Sequence, residues 1–118
     1  MPESHIPADS QIRAMLDGSI QELLRKSFGD ASPGDFRKAI TVDRGDIIEF
    51  LKSHPADADA YFAQHCAMHG THDVERIWRE DAIYCTCWMD HGEQRSIKHF
   101  TTLPEAVAEH VLVTHGMY

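Results

Sequence analysis

The sequence predicts an α+β domain: N-terminal helices, then a three-stranded antiparallel β-meander, then a C-terminal helix. Three observations predict it. Ile12, Met15, Leu16, Ile20, Leu23, Leu24 and Phe28 recur at three- and four-residue steps, the stripe of an amphipathic helix. After Gly70 the apolar period drops to two, as strands require. Finally, Thr102-Leu-Pro-Glu105 has capping-box spacing ahead of an apolar last segment.

Taken in order, residues 1–8 are polar and proline-containing and read as a loose, flexible arm. Asp9 or Ser10 suits the start of the first helix and Gly29 its end. Gly18 weakens the middle by about 1 kcal/mol relative to alanine, which favours a kink or two short helices. Asp30–Gly34 reads as a turn, followed by a short helical piece from Phe36 to about Ile40. Asp46 is placed to cap a helix through Ile47, Ile48, Phe50 and Leu51, which must stop near His54 because Pro55 follows. Asp57 opens another helix, Ala58 to His69, with Gly70 as its stop. Three strands come next: Val74–Arg79, Ile83–Met89 and Gln94–Phe100. The first two are joined by Glu80-Asp81, the last two by Asp90-His91-Gly92-Glu93, where Gly92 permits a positive φ. In the middle strand Ile83, Cys85, Cys87 and Met89 share one face and Tyr84, Thr86 and Trp88 the other. The last helix carries Leu103, Ala106, Val107, His110, Val111 and Thr114 on one face and ends at Gly116.

Residues 1–118 read as a single domain, with no repeat, low-complexity tract or linker to divide them. With 42% hydrophobic and 25% charged residues, the chain has the balance of a folded rather than a disordered protein. Acidic residues outnumber basic ones 19 to 11, giving a formal charge of −8 spread along the chain. Such a surface repels a phosphate backbone, and no basic patch offsets it, so direct nucleic-acid binding is disfavoured. The same field attracts a basic protein partner. Cys66, Cys85 and Cys87 are odd in number and badly spaced for a disulfide framework. The N-terminus lacks the basic and apolar regions of a secretory signal, and no apolar run reaches membrane-spanning length. Together these features point to a reducing, cytoplasmic setting.

The histidine and cysteine pattern raises a second possibility. His65 and His69 lie four apart on the fourth expected helix, His72 lies just past its end, and Cys85 and Cys87 share a strand face. These five side chains supply enough nitrogen and thiolate donors for a zinc ion, in a metal-binding protein or metalloenzyme. Their spacing matches no zinc signature, however, and the plainer reading makes the cysteines small buried hydrophobes. No nucleophile elbow, activated cysteine or phosphate-binding glycine loop is present, so the chain carries no catalytic signature.

The segment Trp78-Arg-Glu-Asp81, the strand Ile83–Met89, the turn Asp90–Glu93 and the run Phe100-Thr-Thr-Leu-Pro-Glu-Ala106 resemble the C-terminal hairpin and helix of small bacterial immunity proteins that neutralise toxins. The resemblance covers about a third of the chain. It implies an inhibitory module without chemistry of its own, which binds a toxin or another nucleic-acid enzyme by protein–protein contact. The residues expected to meet such a partner are the acidic turns Glu80-Asp81 and Asp90–Glu93. Tyr84 and Trp88 join them if their strand face is uncovered, and belong to the core if helices pack on it.

Overall fold

The computed structural model describes residues 6–28, 40–66 and 74–115. Helix α1 spans Ala8–Asp17 and α2 spans Ile20–Phe28. The break between them is at Gly18, whose φ of +78° closes α1 with a left-handed cap that only glycine adopts without strain. The expected stripe is therefore two short helices. Helix α1 starts earlier than expected: Pro7 holds the cap position without a side-chain bond. Residues 6–8, expected in a loose arm, belong to the packed body, because Ile6 is buried and its carbonyl accepts from Gln11 Nε2 at 2.8 Å. Gln11 also accepts from the backbone amides of Thr41 and Val42, so one buried amide ties three segments together.

Helix α3 spans Arg44–Ser53. Its cap is Asp43, with Asp46 three residues on returning the bond to the Asp43 amide, a reciprocal box shifted one turn from the expected start. It stops at His54, as Pro55 requires. That proline opens α4, Pro55–Cys66, three residues before the expected start, since a first-turn proline loses no helical bond. The expected stops at Gly29, Gly70 and Gly116, the Asp30–Gly34 turn, the piece from Phe36 and the end of α4 at His69 lie outside the described residues, apart from Ile40, which is non-helical.

Strands β1 (Val74–Glu80), β2 (Ile83–Asp90) and β3 (Glu93–Phe100) form an antiparallel sheet in the order β1-β2-β3. The β2–β3 loop is His91-Gly92, both with positive φ (52° and 82°), the primed turn that matches strand twist. Between the pairs Thr86↔Lys98 and Trp88↔Arg95, β3 has two residues and β2 one. This bulge puts Ser96 at φ 55° across from Cys87. Helix α5, Leu103–Thr114, is capped by Thr102 and packs against α3, α4, β1 and β2.

Among the described residues, the helices cover one face of the sheet. Ile77, Tyr84 and Phe100 join the core formed with α1, α3, α4 and α5, and the register places Glu75, Thr86, Trp88 and Lys98 on that same side. Val107 and Val111 of α5 and Ile47 and Leu51 of α3 lie at its centre, each with no exposed surface. The opposite face carries Val74, Arg76 and Trp78 from β1, Ile83, Cys85, Cys87 and Met89 from β2, and Ile97 and His99 from β3. The shortest dimension of the molecule is 20 Å, room for one helix layer and one sheet.

Candidate functional site

The helix-covered face holds a polar cluster beneath α5. Glu109 is 2% exposed and reaches two cations from different elements: Arg44 of α3 at 2.6 Å and Lys98 of β3 at 2.8 Å. Burial pushes its carboxyl up, but Lys98 and Arg44 outweigh burial and hold it below the usual range. Glu75 of β1 is also buried, and burial, then the Glu109 charge, push its carboxyl up to about 7 against the pull of Lys98. One carboxylate is thus kept ionised while its neighbour holds its proton near neutrality, the arrangement that separates an acid from a base in a shared environment.

Next to Glu109, His110 is fixed at both nitrogens. β1 is an edge strand, and the Glu75 carbonyl takes His110 Nε2 at 2.9 Å. A carbonyl only accepts, so Nε2 carries the proton and Nδ1 accepts from the Tyr61 hydroxyl of α4. Burial, then the nearby His65, lowers His110 to about 4, so the ring is neutral at pH 7. The Tyr61 hydroxyl is raised far above the ordinary phenol value, first by burial. His65 stacks on Tyr61 at 4.0 Å between ring centres and lies 5.1 Å from His110, and burial lowers its pKa as well. Tyr61 also reaches a cavity of about 210 Å³ with Arg13, Leu16, Asp17, Asp57, Ala60 and Gln64. On β2, between Ile77 and Lys98, the Thr86 hydroxyl is fully buried with no hydrogen-bond partner among the described residues.

The sequence-predicted site residues fall in different places. His65 lies on the helix side of the sheet, whereas Cys85 and Cys87 lie on the other face, fully covered. The structure does not bring His65 and the two thiols together. His69 and His72 lie outside the described residues, and among the described residues no group of three or more His, Cys, Asp or Glu side chains is arranged to hold a metal ion. Burial raises both thiols, so they are protonated at neutral pH.

Of the expected partner residues, Tyr84 and Trp88 lie half-buried on the helix-covered side, and Tyr84 meets Phe62 of α4 edge-to-face at 5.5 Å. Tyr84 packs against the helical core, which is the core alternative for that residue. Glu80-Asp81 and Asp90–Glu93 occupy opposite ends of the sheet, about 25 Å apart along an eight-residue strand. Glu80 accepts from Trp78 Nε1 at 3.1 Å, while Asp90 and Glu93 both engage Arg95. The six therefore do not form one patch.

Sequence reasoning passed over Glu75, Glu109, Arg44, Lys98 and Tyr61, and placed His110 only on the apolar side of its helix. One signal was present: Glu109-His110 interrupts the otherwise apolar run Ala106–Val113, where a buried pair of polar residues needs partners. No protein-family model matches the chain, and neither a curated protein nor a solved structure matches it.

Proposed function

We propose that this chain is an acidic binding and inhibitory protein of the immunity type, which neutralises a basic toxin or another nucleic-acid enzyme by protein–protein contact. The observation that carries the reading is the sheet face opposite the described helices. It presents Ile97, 48% exposed and the one large hydrophobic side chain so exposed among the described residues. Half-buried Val74 and Trp78 of β1 and Ile83 of β2 share that face, and an acidic turn stands at either end of the sheet. An apolar centre between charged rims is the anatomy of a recognition surface. The net charge of −8 supplies long-range attraction for a basic partner.

The described polar groups fit a scaffold role. His110, Tyr61, Glu109, Arg44 and Lys98 bond to one another or to backbone across α3, α4, α5, β1 and β3. Capture from a lysate of the source cells tests the proposal. A basic protein should be retained at low salt and progressively released as salt rises. Recovery of no basic protein at either low or moderate salt would contradict it.

A further inference from the structure

We propose that Glu75 is a proton-operated latch: with its carboxyl protonated the start of edge strand β1 stays seated against α5, and loss of that proton to solvent loosens it. The geometry is a shortage of positive charge. Two carboxyl side chains are buried where β1 meets α5, Glu75 at 7% exposed and Glu109 at 2%. The two cations of the cluster, Arg44 and Lys98, both bond Glu109. Among the described residues no ion pair reaches Glu75. A buried carboxylate without a cation is costly and the neutral acid much less so, and the proton therefore stands in for the missing cation.

The other groups around Glu75 hold their charge across neutral pH. On β2 its neighbours are Trp88 and Thr86, and on β3 Lys98. Helix α5 brings Glu109, held ionised by its two cations, and His110, held neutral by burial. Helix α4 brings Tyr61, whose hydroxyl keeps its proton, and His65, which burial also turns towards the neutral form. Arg76, next along β1, lies on the opposite face. Burial, then the Glu109 charge, push the Glu75 carboxyl up to about 7 against the pull of Lys98. Glu75 is thus the group of this cluster that changes charge near neutrality.

The fold also says which part yields. Glu75 is the second residue of β1, an edge strand that pairs with β2 alone. On its outer side one bond ties it to α5, from His110 Nε2 to the Glu75 carbonyl at 2.9 Å. Glu109, by contrast, is held from α3 and β3 at once. When Glu75 ionises beside Glu109, the start of β1 can move out and relieve the repulsion by giving up that bond and its first ladder bonds.

Hydrogen exchange read by NMR on the full chain tests the latch, with wild type set against Glu75→Gln, an isosteric neutral side chain. The readouts are the His110 Nε2 proton and the β1 amides. Each is taken as the wild-type rate over the Gln rate at the same pH, so base catalysis and the titration of His65 and His110 cancel. That ratio should rise about tenfold from about pH 6 to about pH 8 and then level off, while the ratio at β3 amides stays constant. A ratio flat with pH at β1, or one rising equally in β3, would overturn the proposal. If Glu75→Gln does not fold, the carbon-13 shift of the Glu75 carboxyl in wild type decides. A midpoint near pH 7 supports the latch, and one in the ordinary carboxylate range overturns it.

Discussion

At the scale of single residues, two buried titratable groups pull stability in opposite directions over one pH window. Glu75, raised to about 7, binds its proton more tightly folded than unfolded. Its contribution is therefore full below the unfolded carboxyl value near 4.5 and is lost as pH rises towards 7. His110, lowered to about 4, behaves oppositely. Its contribution is full above 6.5 and is lost as pH falls towards 4, and the lowered His65 adds to it with the same sign. Each of the two large shifts is worth of the order of 3 kcal/mol at its limit. Wild type should therefore change little in stability between these limits, while Glu75→Gln loses stability on acidification. Urea denaturation across that range checks this, and a Glu75→Gln profile as flat as wild type would refute it. Glu109 falls outside this balance: its lowered carboxyl contributes above the unfolded value and loses that contribution as pH drops below it. The Thr86 hydroxyl gives a second residue-scale expectation. Thr86→Val keeps the shape and removes an unbonded buried hydroxyl, so it should stabilise by about 1 kcal/mol in thermal or chemical unfolding.

At the scale of elements, local chemistry ends and starts the helices and turns. Thr102→Ala should cost about 1 kcal/mol, since Thr102 Oγ1 accepts from the Glu105 amide and donates to its carboxylate. Gly92→Ala should cost about 1–2 kcal/mol from backbone strain alone, because a Cβ there meets no atom within 4 Å. Equilibrium unfolding of both variants measures these costs. Much at this scale was legible in the sequence. The meander, its glycine turn, the break at Gly18 and the α5 cap each follow from one or two residues whose backbone preferences are strong. Helix starts were less legible. Asp43, not Asp46, caps α3, because both acids satisfy the capping pattern and only the chain's approach selects between them. Pro55 both stops α3 and opens α4, and the sequence shows only the first role plainly.

At the scale of the whole molecule, the sequence left open which sheet face the helices cover. Period-two patterning assigned Cys85, Cys87 and Met89 to one side and Tyr84, Thr86 and Trp88 to the other, but both sets are partly apolar. Long-range partners settle it: Phe62 against Tyr84, Lys98 to Glu109, and His110 to the Glu75 carbonyl all lie on the aromatic side. The Glu75–Glu109–His110 cluster was illegible for the same reason, since β1 and α5 meet only after the meander folds back. With the two acidic turns at opposite ends, the proposed recognition surface is the sheet face opposite the described helices. The most direct test is side-by-side capture of cell lysate by wild type and Ile97→Lys, both shown to be folded, with retained proteins quantified against each other. A basic protein held by wild type should be lost from the Ile97→Lys sample, since the substitution puts a like charge within the contact. Equal retention by the two would contradict it.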